Sequence, residues 1–350
     1  MQWRSPSLFY FLLLSTACLA TDASGAPKSP YNLSYDLQAI HVAIVINDSD
    51  AHSVEIGEYY RVARDIPSKN VVHVNIPNSP RRLPLPEFNQ LKLQIESQLS
   101  PDIQAIVLVW TAPYAVECNS ITSALTLGFD EAQCKNTCST GKPSPYFNSN
   151  SSRPYTDFGI RLSMLLPVDS IKQAKSLIDR GKISGFSVIP ASAYFLLTSD
   201  RNRSSRAPFF PKSGKIPQLK FAIKTLKRDS IKGVKDIMIY QTGLTNVPNL
   251  DTLHFLPGAL ADHLTSSGGD LLGTSQMSSL RWLEAGATAS YGTVSEPCNY
   301  PQKFPHPTIL LNHYLHGASA IEAYWKSLEW PAQGVLIGEP LAAPYIQNRR

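Results

Sequence analysis

Beyond its first twenty positions the chain has no apolar run approaching the ~20 residues that a membrane-spanning helix needs, so no transmembrane span is expected there. It has no GxSxG elbow, no Walker loop and no GxGxxG fingerprint, which argues against the common lipases, nucleotidases and dehydrogenases. No HExxH helix is present, so the usual zinc triad lacks its ligands. Internal repeats, coiled-coil heptads and low-complexity tracts are also missing. What remains is an ordinary globular composition: 350 residues, 43% hydrophobic and 17% charged, enough apolar material for one large or two modest domains. Neither a cofactor nor a metal is expected.

The first residues address the compartment. One Arg precedes the apolar run Leu8–Ala20, and small residues follow, the tripartite pattern of a secretory signal. Residues 1–26 are therefore expected to be a signal peptide, cut near Ala20 or Ala26, and the protein to be exported to the periplasm or the exterior. Lipoprotein anchoring at Cys18 fits less well, because the Leu expected three residues before it stands at Leu14 instead. Four cysteines remain after the leader, and Cys118, Cys134 and Cys138 lie close together in a polar stretch. In an exported protein this predicts a local disulfide, Cys118 with Cys134 or Cys138. Cys298 is then free or joined to the cysteine left over.

Between Arg201 and Lys235 eleven Lys or Arg face Asp229 alone, a local charge of about +10. Lys220, Lys224 and Lys227 fall on one face of a helical projection and Leu219, Ala222, Ile223 and Leu226 on the other, predicting a solvated amphipathic helix over 216–228. The predicted helix carries a single aromatic, Phe221, too few to stack successive bases, so no nucleic-acid partner is expected. The partner class is left open, as an unknown ligand or protein, and so is the oligomeric state.

Along the chain, continuous apolar runs at 39–46, 70–76, 103–110, 236–241 and 253–257 alternate with segments of helical period. Continuous hydrophobicity marks parallel strands covered on both faces, and the alternation predicts an α/β fold with a largely parallel, helix-flanked sheet. Residues 27–350 read as a single α/β domain, divisible into subdomains at 27–153 and 154–350. The stretch 113–154, rich in Ser, Asn, Gly and Pro and carrying the three clustered cysteines, reads as a long loop.

Several phrases resemble a family of exported bacterial proteins to which no activity is assigned: VINDSD at 45–50, RDIPSKNVV at 64–72, ADHLTSSGG at 261–269, AGATASYGTVSEPC at 285–298, EAYWKS at 322–327 and GEPLAAPY at 338–345. The order of segments is more distantly similar to the gingipains, cysteine peptidases with a caspase-like three-layer sheet. In those enzymes one strand ends in a Gly-His-Gly loop and the next in a turn bearing the nucleophilic Cys. That resemblance puts Leu244 at the His position and Ala259 near the Cys position, with Gly338-Glu339-Pro340 for a Gly-Asp-Pro turn. Neither Leu nor Ala can exchange a proton with a thiol, so the resemblance implies a scaffold without the usual dyad. The leading expectation is a binding or envelope-associated module.

The competing expectation is a cysteine hydrolase acting on a peptide, amide or ester. Cys298 follows the Gly-rich stretch 285–292, and His263 follows a Pro-Gly pair. A thiol, an imidazole and an orienting acid form the general nucleophile-base arrangement, with Asp262 or Glu296 as the acid. The blander expectation is that His263 is a hydrogen-bonded structural residue and Cys298 a structural cysteine. His306, His313 and His316 form a second cluster without a third metal-binding partner type at the right spacing. Gly243, Gly258, Gly268, Gly269 and Gly292 sit where a turn or an anion-binding nest can form.

Overall fold

Residues 42–47 begin with five aliphatic side chains that admit no exposed face, and every one of the six residues is buried. They form β1 (Val42–Asn47), the first strand in a computed structural model that describes residues 37–185 and 189–346. The expected signal peptide lies outside the described residues. The Asp50 side chain accepts from the His52 amide and caps α1 (Ala51–Ala63), satisfying one of the orphan donors at a helix start. β2 (Val71–Val74) follows, then the short β3 (Arg82–Leu83) and α2 (Leu85–Glu96), whose Pro86 sits in the first turn where its missing N–H costs nothing. β4 (Ala105–Val109) is wholly buried.

The stretch expected to be a loop carries structure. β5 (Ala115–Val116) and β6 (Asn119–Ser120) join β3 in a small three-stranded sheet, and α3 (Ile121–Leu127) is buried over six of its seven residues. Short α4 (Glu131–Lys135) and α5 (Pro154–Phe158) follow. Polar composition misleads here because the polar side chains are used internally. Ser120 Oγ caps α3 at Ser123 N and donates to Gly334 O, and the Thr126 and Ser163 hydroxyls bond each other.

The alternation then resumes with β7 (Leu162–Leu165), α6 (Ile171–Lys182), β8 (Ala191–Leu197), β9 (Gly214–Ile216) and β10 (Phe221–Lys227). The helix predicted over 216–228 is therefore a strand. Pro217–Leu219 makes one 3-10 turn, Lys220 takes a left-handed φ of 48°, and the chain leaves extended to pair with β8. Its apolar residues serve both faces of a strand: Ile223 packs against one hydrophobic cluster and Leu226 against the other. A period of 3.6 and two-sided burial place apolar residues at the same positions here, and strand pairing decides between them.

β11 (Ile237–Thr242), β12 (Phe255–His263), α7 (Leu280–Glu284), β13 (Ala289–Thr293), α8 (Pro307–Leu315), α9 (Ala320–Ser327) and β14 (Gly334–Gly338) complete the order. β12 also departs from expectation. It starts at Phe255 and runs through Pro257-Gly258 to His263, so the Pro-Gly pair is not a strand end. Gly258, with φ of 88°, accompanies a register shift between Ile237 and Ile239 of β11, after which Leu260 to His263 pair regularly with Ile239 to Thr242.

The main sheet has eleven strands among the described residues, in the order β2-β1-β4-β7-β14-β13-β12-β11-β8-β10-β9. Every pairing is parallel except β13 with β14 and β9 with β10. The fold class is thus α/β, with a largely parallel sheet and helices packed on it. The antiparallel junction has a topological consequence. It divides the sheet into β2-β1-β4-β7-β14 and β13-β12-β11-β8-β10, whose carboxyl ends lie at opposite edges. Among the described residues no helix is long and apolar enough to cross a membrane.

Candidate functional site

Open α/β sheets bind ligands outside the carboxyl ends of their strands, at the point where strand order reverses. In the second half-sheet that point lies between β8 and β11, and its neighbours are the ends of β12 and β13. The residues presented there are Thr198, Gly243, Leu244, Asp262, His263, Thr265 and Thr293. Asp262 and His263 thus stand at this edge, and the turn that carries Glu296 and Cys298 leaves from it after β13.

The crevice is filled by the chain itself. Residues 198–206 fold back over the end of β11, and a Cβ on Gly243 would lie 1.8 Å from the carbonyl oxygen of Arg203. Only glycine admits that approach. Thr198 Oγ1 donates to Gly243 O at 2.7 Å, Arg203 Nε donates to Thr265 Oγ1 at 3.0 Å, and Arg203 Nη1 pairs with Asp200 at 2.8 Å. Thr293 Oγ1 donates to Thr265 O at 3.0 Å. The glycine amides are committed as well: Gly269 N–H donates to Thr293 O, and Gly258 N–H to Thr288 Oγ1. These two amides do not converge on an anion site.

Asp262 is buried and meets the equally buried Arg206, with Arg206 Nη1 2.5 Å from Asp262 Oδ1. Gln241 Nε2 donates to Asp262 Oδ2 at 2.9 Å, while Arg206 also donates to Thr242 O and Pro305 O. Burial raises the Asp262 carboxyl above its ordinary range, and the Arg206 charge opposes the rise. Within this polar layer Gln241 Oε1 and Ser290 Oγ find no partner among the described residues. Asp262 is therefore half of an ion pair, with its side chain committed to Arg206 and Gln241 and not to the imidazole of the next residue.

His263 is fixed from both sides. Trp282 Nε1 donates to His263 Nδ1 at 2.9 Å, so Nδ1 carries the lone pair and Nε2–H donates to Met277 O at 3.1 Å. Burial pushes its pKa down to about 3, and the nearby Arg206 and Arg203 charges push the same way. A general base must offer a free lone pair to the proton that it takes. Here the lone pair already receives an indole N–H.

Cys298, at a left-handed φ of 59°, is joined in a disulfide to Cys138, and Cys118 is joined to Cys134. The first leaves no free thiol at Cys298; the second is one of the two local pairings that the sequence left open. Glu296 Oε1 accepts from the Cys298 amide at 2.7 Å and closes the turn that carries the half-cystine. The four candidates thus occupy three separate arrangements: an ion pair, a clamped imidazole and a disulfide-bearing turn. Ala259, at the position suggested for a nucleophile, lies inside β12 and not at its end, because the strand continues past Pro257.

The second histidine cluster does not converge either. His306 caps α8 by accepting from Ile309 N at 3.4 Å, His313 Nε2 meets Asn148 Oδ1 at 3.1 Å, and His316 Nδ1 donates to Asn312 O at 2.7 Å. Arg206 is the residue that sequence reading misses. It sits in a basic segment whose composition suggests a solvated face. The one available signal is the apolar pair Phe209 and Phe210 just after it, of which Phe210 packs against the core.

No protein-family profile matches the chain, and no curated protein does. Two solved structures are similar to it. One is the Arg-specific cysteine proteinase gingipain R, at 10% identity and a TM-score of 0.47, covering 88% of this chain and 79% of that one. The other is a complex of the pro- and mature domains of RgpB from Porphyromonas gingivalis, at 8% identity and 0.45, covering 87% and 79%.

Proposed function

We propose that this protein is an exported, disulfide-stapled binding module that does not use a cysteine nucleophile. The observation that carries the reading is the disulfide between Cys138 and Cys298, because a half-cystine has neither a thiolate nor a thiol proton to offer. The clamped His263 and the crevice filled by Arg203 support the same reading. Export is supported by the leader-like start of the sequence and by two disulfides, which persist in oxidising compartments.

Thiol alkylation tests it. The folded, unreduced protein is expected to take up no iodoacetamide at Cys298 at pH 7, and His263→Ala is expected to leave that unchanged. Rapid labelling of Cys298 at neutral pH, slowed by His263→Ala, would restore the hydrolase alternative acting through Cys298 and His263, with Asp262 or Glu296 orienting the base.

A further inference from the structure

On the outer side of the Arg206–Asp262 pair lies a cavity of about 330 Å³, at the small end of the range for ligand sites. Phe147, Phe209, Phe304 and Ile309 give it an apolar wall, and Arg206, Gln302, His306 and Glu329 its polar positions. The walls are preorganised. Arg206 is tied to Thr242 O and Pro305 O, Gln302 O accepts from Trp330 N, and Glu329 O accepts from Ser144 N. The His306 ring lies against Phe209 with centroids 4.8 Å apart, and Phe209 is 39% exposed at the rim.

The electrostatics of the wall are one-sided. The charge of Arg206 is already matched by Asp262, and burial lowers the pKa of His306, which therefore adds no positive charge near neutral pH. Glu329 makes no ion pair among the described residues. Gln302 lines the wall too, but its Oε1 is buried behind that surface and has no hydrogen-bond partner among the described residues. The cavity therefore presents one unpaired anionic group, Glu329, beside Phe147 and Phe209, whose ring faces attract cations, while the face of Phe304 already holds the Arg206 guanidinium at 6.0 Å.

We propose that this cavity binds a small organic cation, a protonated amine on an aromatic or aliphatic body. Glu329 takes the ammonium, while Phe147, Phe209 and Phe304 enclose the body. This gives the proposed binding role a ligand class and rests on it.

The test uses the full chain and three probes of similar shape: phenethylammonium, neutral 2-phenylethanol and anionic phenylacetate. Calorimetric titration is expected to give saturable one-to-one binding of phenethylammonium, about tenfold or more tighter than 2-phenylethanol, as hydrogen bonds to a charged group allow. Phenylacetate should not bind. Glu329→Gln should erase the preference for the cation while leaving the thermal midpoint unchanged, and Phe209→Ser at the rim should weaken cation and alcohol alike. No saturable binding, equal binding of the three probes, or a preference that survives Glu329→Gln overturns the proposal. Those results leave the iodoacetamide outcome untouched, so loss of this pocket and loss of the non-catalytic reading are separable.

Discussion

In the first half-sheet β1, β4 and β7 bury aliphatic side chains almost throughout, with Asn47 and Ser163 as polar exceptions, each hydrogen-bonded. In the second, β11, β12 and β13 bury Gln241, Thr242, Asp262, His263, Ser290 and Thr293. Both halves are parallel and covered by helices, so geometry alone does not demand the difference. The comparison shows where this protein has concentrated polar chemistry, and what it does with it. A buried charge or imidazole is tolerated only when its partners are supplied. Here Arg206, Trp282, Met277 and Gln241 supply them from inside the protein. The charged and imidazole groups of the polar half are thereby partnered internally, and the cavity beyond Arg206 is where an unpaired carboxylate, Glu329, lines open space.

The contrast can be broken most strongly at the buried pair. Arg206→Met leaves Asp262 unpaired in the interior and is expected to cost about 3–5 kcal/mol in urea unfolding. Ile44→Val in the aliphatic half should cost only about 0.5–1.5 kcal/mol. Adding Asp262→Leu to Arg206→Met should recover much of the loss. Equal costs for Arg206→Met and Ile44→Val would mean that the pair does not organise the second half.

A smaller effect is expected at Gly243. An added Cβ must displace the Arg203 carbonyl, which is backbone and cannot swing away as a side-chain tip would. Gly243→Ala should therefore destabilise by about 1–3 kcal/mol, as overpacking does. It should also raise hydrogen exchange in residues 198–206. Unchanged protection there would show that this segment is not seated on the strand end.

The gentlest probe is pH. His263 is neutral in the fold with a pKa of about 3, whereas an unfolded histidine titrates near about 6.5. Between these values the unfolded chain binds the extra proton, so stability rises with pH and is lost on acidification below about 6.5. The contribution of this one residue is at most about 1.4 kcal/mol per pH unit. His263→Gln should flatten the slope of stability against pH between about 6.5 and about 4 by up to that amount. A slope identical to that of the parent protein would mean that His263 is protonated in the fold.

The aliphatic half is easy to read from sequence and the polar half is not. Residues 42–46 and 105–109 admit one interpretation, because runs of Val, Ile, Leu and Ala in short segments between helical periods require cover on both sides. Residues 255–263 admit several. Pro257 and Gly258 punctuate the run, yet a register shift absorbs them, and the strand carries Asp262 and His263 into the interior. The basic stretch 216–228 has the same ambiguity. Its apolar positions suit a helical face and a two-sided strand equally, and the presence of β8 beside it chose the strand.

Among the site candidates, residue types were legible and their company was not. The sequence by itself determined the α/β class, the positions of the aliphatic strands, and a local disulfide near Cys118, since these depend on neighbours within a short stretch of chain. Only the tertiary structure decided that Cys298 joins Cys138 across 160 positions, that Arg206 finds Asp262, and that Trp282 and Met277 occupy both nitrogens of His263. Long-range partners are chosen by the packing of the whole sheet, where burial makes any unpaired charge or donor costly. That selection leaves no periodic trace along the chain.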